Sequence, residues 1–421
     1  MVNSIPRMTI GLSYNELMTF IINLFQRQEA KNKEEIIAEF EKDFAALYDM
    51  PQGVVLSKAR VAFYYLLKHM NLKPGGEVLI SALHVADFVN MINLAGFKPV
   101  VVDLKENSYV LDYEDLEQKI NGKTTLLLVT HLAGYPADMK RIKKICDRYK
   151  IPFIEDCSQA VRASYRGQKL GTFGTAAIYS LSLLKSVCTL SGGMIISSNK
   201  ALLDGIRKER QRLAQPPKAH LLQEAAKNLV LKLATTPIAF KWIVMPLLGM
   251  ATSTMDFFSK FQKTNKSVFH RIVMPHEFLV QYSWQQAWLG LEQLKRLAKR
   301  EEQRIVHAKY LYSELSVCSS ITLPKIVKGG LCSFWLFPVL TEDPNTLKKN
   351  IRKKGVDSSV PLLSVLGEEV AFEKYHFQCE HAKIIKQKTL FLPMYPELSQ
   401  LALEQIVNAI KDYQKEDSIS D

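Results

Sequence analysis

No Cys-x-x-Cys pair occurs in the 421 residues; the six cysteines (Cys146, Cys157, Cys188, Cys318, Cys332 and Cys379) stand far apart. That scatter excludes a disulfide framework and the zinc-ribbon spacings, and it fits a chain kept reduced, as in the cytoplasm. No Gly-x-Gly-x-x-Gly follows an apolar run and no Gly-x-x-x-x-Gly-Lys-Ser/Thr occurs, so dinucleotide and P-loop readings lose their main support. An RNP-type aromatic signature and a long arginine run are also missing, which argues against nucleic acid despite an excess of basic residues. Arg7 is not followed by an uninterrupted apolar stretch, so no secretory signal is expected. A clean membrane span is lacking too: the apolar stretch 228–250 is broken by Lys232, Pro237, Lys241 and Pro246. Internal repeats and low-complexity tracts are absent.

What is present is ordinary globular composition, 47% hydrophobic and 23% charged, with 55 basic against 42 acidic residues for a net charge of +13. The length implies two packed lobes, and the charge favours anionic partners such as phosphorylated substrates. Residues 1–50 read as helical, with apolar positions at helix period between Glu35 and Tyr48. From 51 to 204, short apolar runs alternate with amphipathic segments. Strands are predicted at 53–56, 78–80, 99–102, 125–130, 152–155, 177–180 and 193–197, with helices at 60–70, 86–95 and 138–149 among them. This alternation specifies an α/β domain with a largely parallel sheet, whose ligand lies beyond the carboxyl ends of the strands.

Residues 205–270 break the pattern. A basic helix end (Arg207, Lys208, Arg210, Arg212) leads through Pro216-Pro217 into the apolar stretch 228–250. The segment reads as a helical insertion packed on the protein or at a subunit interface. The alternative is peripheral membrane contact, an interfacial helix pair whose lysines meet lipid phosphates. From 271 to 421 a smaller C-terminal α+β domain is predicted, opening with a helix that sets Trp284, Trp288, Leu291, Leu294 and Ala298 on one face as core. Strands at 333–340 and 390–392, a helix at 401–412 and a frayed tail from Gln414 complete it.

Three features bear on chemistry. Lys185 sits in a turn between the predicted strands 177–180 and 193–197. A partly desolvated amine there has a lowered pKa and can form a Schiff base; the plainer reading is a turn lysine with its head in water. Asp156 ends a buried strand, where a carboxylate can pair with a protonated ring nitrogen or simply cap the next helix. Ser57-Lys58-Ala59-Arg60 joins a strand to a helix, the setting of a phosphate seat or of an ordinary N-cap by Ser57. Phosphate seat, ring-nitrogen carboxylate and aldehyde-binding lysine, in that order, are the parts needed for pyridoxal 5'-phosphate.

Longer motifs accompany them: Gly96-Phe-Lys-Pro-Val-Val-Val-Asp103, Thr130-His-Leu-Ala-Gly-Tyr-Pro-Ala-Asp-Met139, Glu155-Asp-Cys-Ser-Gln-Ala160, Gly171-Thr-Phe-Gly174 and Tyr179-Ser-Leu-Ser-Leu-Leu-Lys185, then Gly192-Gly193. Gln286-Ala-Trp-Leu-Gly-Leu291, Lys354-Gly355-Val356 and Leu392-Pro-Met-Tyr-Pro396 follow in the smaller lobe. On these motifs the chain resembles the DegT/DnrJ/EryC1/StrS aminotransferases, the sugar aminotransferases of the fold-type I pyridoxal-phosphate enzymes. The resemblance implies a mostly parallel central sheet flanked by helices, and a homodimer with active sites at the subunit interface. It implies that Lys185 binds the cofactor aldehyde, Asp156 pairs with the pyridine nitrogen, Gln159 lies beside the ring and Ser180 contacts the phosphate.

The chain also departs from the family pattern. Ser57-Lys58-Ala59-Arg60 stands where the family usually has Ser-Gly-Thr, leaving backbone N–H groups, Lys58 and Ala59, with Arg60 as a substitute for the lost hydroxyl. Leu83-His-Val-Ala-Asp87 stands where many members stack an aromatic ring, so His84 or Val85 covers the cofactor or His84 is structural. Leu190-Ser-Gly-Gly193 replaces Gly-Glu-Gly-Gly, and no Asn-Tyr-Arg element precedes Gln286. His131 is read as a buried structural histidine. The function these residues imply is transfer of an amino group, by resemblance from glutamate, to a keto-sugar that is nucleotide-linked. The alternatives are a sugar dehydratase of the same family, which the presence of Lys185 disfavours, and a non-catalytic binding homologue.

Overall fold

The computed structural model describes residues 4–26, 29–250 and 268–420. Its central sheet has seven strands: β1 (Gly53–Leu56), β2 (Glu77–Ser81), β3 (Lys98–Val102), β4 (Thr124–Thr130), β5 (Phe153–Asp156), β6 (Ala177–Ser180) and β7 (Gly193–Ile196). Their order is β1-β7-β6-β5-β4-β2-β3. Only β7 runs against the others, pairing antiparallel with β1 and β6. All seven strands expected from the apolar runs are therefore present. Alternation explains why both faces are covered. Val54, Leu56, Val78, Ile80, Leu126, Leu128, Ile154 and Ile178 face one apolar cluster, whereas Val55, Leu79, Leu127, Val129, Phe153 and Tyr179 face the other.

The first cluster continues without a break into the smaller lobe. There an antiparallel pair, Phe337–Leu340 with Thr389–Leu392, packs against the helices Pro344–Lys353 and Gln400–Ser420. Three details differ from expectation. Only Phe337–Leu340 of the run 333–340 is paired; Phe334 takes a positive φ of 48°, which turns the first residues out of the sheet. The last helix runs through the expected tail to Ser420. On the long helix Trp284–Leu315 the buried stripe passes through Gln286, Leu289, Gln293, Leu297, Glu301 and Arg304, leaving Ala298 exposed and Leu291 and Leu294 half-buried. Polar members of that stripe carry hydrogen bonds inward, which a count of apolar positions does not register.

The strand β1 lies at the edge of the sheet, where unpaired backbone groups invite association. Its outer edge is closed by side chains. Glu41, buried on the helix Ala30–Ala46, accepts the Val55 N–H (2.9 Å), while Arg210 donates to the Val55 carbonyl (2.9 Å) and Arg207 to that of Gly53 (3.0 Å). Arg210 also donates to Glu41. Two members of the basic helix end are thus structural, on a helix, Lys200–Gln211, that crosses the expected boundary at 204 without interruption. Glu41→Gln leaves Arg210 buried against a neutral amide, and the expected cost is about 3 kcal/mol, read as a lower urea midpoint with unchanged slope.

Beyond residue 217 the helix Lys218–Ala234 and the helical stretch 237–250 lie against the N-terminal helix Tyr14–Phe25. Leu17, Phe20 and Leu24 interlock with Leu221, Leu231, Phe240, Val244 and Leu248. The inner face of the apolar segment is thereby packed on the protein. Among the described residues no single helix is long and apolar enough to cross a membrane. The rest of the expected insertion up to residue 267 falls outside the described residues.

Candidate active site

The carboxyl ends of the parallel strands meet the smaller lobe, and the polar residues singled out from the sequence gather there. Asp156 ends β5, 5% exposed. Its Oδ1 accepts the Ser158 N–H (2.9 Å), and its Oδ2 lies 3.3 Å from His84 Nε2. Burial alone raises such a carboxyl, but the His84 and Ser158 contacts outweigh it and hold Asp156 below the usual carboxylate range. The same His84 nitrogen is 3.1 Å from Thr130 Oγ1 at the end of β4. His84 therefore orients Asp156, a role between the two that its position left open.

Lys185 is half-buried in the loop after β6, and its Nζ lies 3.6 Å from the centre of the Trp335 ring. Burial pushes the amine down to about 7, with the negative charge of Asp156 pulling the other way. The loop is held from both sides. Trp335 Nε1 donates to the Leu184 carbonyl (2.8 Å), and Leu184 takes a positive φ of 68° to present it. Beneath it, Arg304 on the long helix donates to Ser186 Oγ (3.1 Å) and pairs with Glu301 (2.7 Å). A desolvated lysine facing a buried carboxylate, under an indole lid, is not the solvated turn lysine of the plainer reading.

The turn 57–60 passes from β1 into the helix Ala59–His69, whose N-terminus no side chain caps. Ser57 is not the cap: its hydroxyl donates to the Phe278 carbonyl (2.6 Å). Arg60 pairs with Asp87 (2.6 Å), which Arg271 shares (2.6 Å). Burial, and then the neighbouring Arg60, push the Lys58 amine below the ordinary lysine range; among the described residues no carboxylate lies within ion-pair distance of it, and its Nζ is 5.4 Å from the centre of the Phe278 ring. Opposite stand the Ser180 and Ser182 hydroxyls, 2.9 Å apart. Gly193 presses on this turn so closely that a Cβ there would lie 2.4 Å from both the nitrogen and Cα of Ala59. Free helical N–H groups, a desolvated cation and two hydroxyls fit a phosphate, and the lysine and carboxylate fit the rest of pyridoxal phosphate. Gly193→Ala is expected to displace the turn and weaken cofactor retention at least about tenfold, checked by equilibrium dialysis with pyridoxal phosphate.

A sequence model of the DegT/DnrJ/EryC1/StrS aminotransferase family matches residues 15–223 and 259–411. The chain belongs to that family. It is 24% identical over 397 residues, 90% of either chain, to the spore coat polysaccharide biosynthesis protein SpsC of Bacillus subtilis (strain 168). It is 32% identical to the GDP-perosamine synthase of Escherichia coli O157:H7 over 173 residues, 41% of this chain and 48% of that one. Among solved structures, Helicobacter pylori PseC, an aminotransferase involved in the biosynthesis of pseudoaminic acid, superposes with a TM-score of 0.75 at 17% identity, covering 98% of this chain and 100% of that one. The sugar aminotransferase CalS13 of Micromonospora echinospora gives 0.74 at 19% identity, covering 97% and 99%. These superpositions show a shared fold.

Within the family's motifs the structure separates chemistry from scaffolding. Glu155, beside Asp156, accepts the N–H groups of Gly171, Phe173 and Gly174, so Gly171-Thr-Phe-Gly174 is a loop wrapped around a buried carboxylate. His131 Nδ1 accepts the Ala137 N–H and its Nε2 lies 3.2 Å from Glu155, the buried structural part expected of it. Gln159 stands at the same strand end, but its Oε1 accepts the Ala133 N–H (2.8 Å) and its carbonyl the Ser333 hydroxyl (3.2 Å). Trp335 and Ser182 were not foreseen. Nothing in the run 333–340 marks its tryptophan as the residue that leaves the sheet; its indole N–H, which needs a partner when buried, was the one available signal.

Proposed function

We propose that this family member is a pyridoxal-phosphate-dependent aminotransferase that moves an amino group from glutamate to a nucleotide-linked keto-sugar. The observation that carries the proposal is the placement of Lys185, its Nζ 3.6 Å from the centre of the Trp335 ring, where burial lowers the amine to about 7 against the pull of the Asp156 charge. When bound, pyridoxal phosphate supplies an electron sink for the carbon that loses its proton. Lys185 would hold the cofactor aldehyde and then, as a free amine, carry the proton between the substrate carbon and the cofactor. Asp156, fixed by His84 and Ser158, would keep the ring nitrogen protonated. Lys58, the N–H groups opening the helix Ala59–His69 and the Ser180 and Ser182 hydroxyls would hold the phosphate. Trp335 would keep water from the amine. The net charge of +13 supports a diphosphate-bearing substrate.

The proposal includes a homodimer, as in the resemblance, and a reducing compartment, which six free and buried cysteines support. The experiment is spectroscopic. Protein loaded with pyridoxal phosphate should be yellow, and borohydride should fix the cofactor on the peptide holding Lys185. Glutamate should bleach the colour, and a nucleotide-linked keto-sugar should restore it. Colour that no amino donor bleaches would overturn aminotransfer, and failure to take up the cofactor at all would overturn the pyridoxal-phosphate reading.

A further inference from the structure

The outer side of the bent helix pair after residue 217 differs from the rest of the surface. Between residues 230 and 247 the exposed side chains are Val230, Leu233, Pro237, Ile238, Trp242, Ile243, Pro246 and Leu247. Not one carries a charge, hydroxyl or amide. Ile238 is 77% and Trp242 71% exposed. The adjoining helix Tyr14–Phe25 continues the patch: Tyr14, Met18, Ile22 and Phe25 project from one side at helical spacing, and its single charged residue, Glu16, is buried. Lys232 and Lys241 flank the patch, with Lys232 Nζ 5.1 Å from the Tyr14 ring and Lys241 Nζ 5.5 Å from that of Trp242. Glu224, the one acidic residue from 212 to 250, is half-buried beside Lys227. The family match passes over 224–258, so the part of this face from Val230 to Leu247 is supplied by residues outside it.

We propose that this face rests on the surface of an anionic lipid bilayer. The arguments are chemical. A folded protein partner is recognised in part through hydrogen bonds, roughly one per 100–200 Å² of contact. The exposed residues from 230 to 247 offer a single side-chain donor, the Trp242 indole. Lipid tails need none, provided the backbone is satisfied within helices, as it is along Lys218–Ala234. Tryptophan, branched aliphatics and a flanking lysine are the composition of an interfacial anchor: Lys241, beside Trp242, reaches lipid phosphates while its stem stays apolar, whereas Lys232 stays with the protein, its Nζ donating to the Ile10 carbonyl (3.2 Å) near Glu397. The two helices bend by 68° at the Thr235-Thr236 break, which suits an element lying along an interface rather than across it. This inference is independent of the reaction proposed above.

The test uses the full chain loaded with cofactor and vesicles of phosphatidylcholine with or without phosphatidylglycerol. The intact protein should float with the anionic vesicles, less so at high salt and weakly with neutral ones. The double variant Trp242→Glu/Ile243→Glu, altering two exposed residues, should lower the partition coefficient at least about tenfold and leave the melting temperature unchanged. As a reading that needs no charged variant, brominated lipid should quench intact-protein fluorescence, and Trp242→Phe should abolish that quenching. Three results would overturn the proposal: no flotation of the intact chain, flotation unaltered in a folded double variant, or quenching that persists in Trp242→Phe. Light scattering adds one more. If the intact protein does not float and the double variant is the smaller particle, the face joins two copies of this chain instead.

Discussion

Replacing Lys185 with alanine will lower turnover about ten-thousand-fold, the upper range for removal of a general acid–base group. Pyridoxal phosphate should still enter, because the phosphate turn is untouched, but borohydride should fix it to no peptide. The wild-type amine adds a pH signature. Burial has moved Lys185 down to about 7, so above that pH the amine is neutral and nucleophilic, and below it the amine is protonated and inert. Covalent capture of cofactor by the apoprotein should fall about tenfold per pH unit below 7 and stay level above it, measured by stopped-flow absorbance. A profile still rising toward pH 10 would place the amine in water and remove the premise of the assignment.

The second large effect is expected at Asp156. Asp156→Ala removes the only charge at the end of β5 aimed at the site, and kcat should fall on the order of a thousandfold, the scale of losing a group directed at developing charge. Asp156→Asn keeps the shape and the Ser158 contact, so a comparable loss in that variant assigns the effect to charge rather than to packing. Retention of near-full activity in both would remove Asp156 from the mechanism. The variant His84→Asn provides a graded control, since His84 orients the carboxylate without being the carboxylate.

Local patterns carried the fold because each strand is a short apolar run with turn residues at its ends, and each run feeds both faces of a covered sheet. Lys185 and Asp156 were legible for a related reason: both sit where a buried strand stops, and their chemistry is unusual at such places. The rest depends on contacts that no window of sequence contains. The Ser57 hydroxyl finds the Phe278 carbonyl 221 residues later, and Arg60 finds Asp87, which Arg271 also holds. Each of these side chains looked available for a phosphate until its partner was known. Lys58 looked no different from Arg60, yet among the described residues no carboxylate pairs with it, and its Nζ lies 5.4 Å from the centre of the Phe278 ring. His84 could be assigned only once Asp156 was seen 3.3 Å away. Trp335 was hidden by its neighbours, because Ser333-Phe-Trp-Leu-Phe-Pro338 has strand composition throughout and only its last two residues join a strand.

The closure of β1 sets a timetable for the growing polypeptide. β1 is made early, but its inner neighbour β7 begins at Gly193 and its outer guard, Arg210, comes later still. A ribosome paused before Gly193 holds a chain whose first strand has Glu41 at its outer edge but no neighbouring strand, with Val54, Val55 and Leu56 open to other nascent chains. Truncations ending between residues 185 and 192 should thus be aggregation-prone in cells even though they contain Lys185, and shielding of emerging segments should matter most before Gly193 is made.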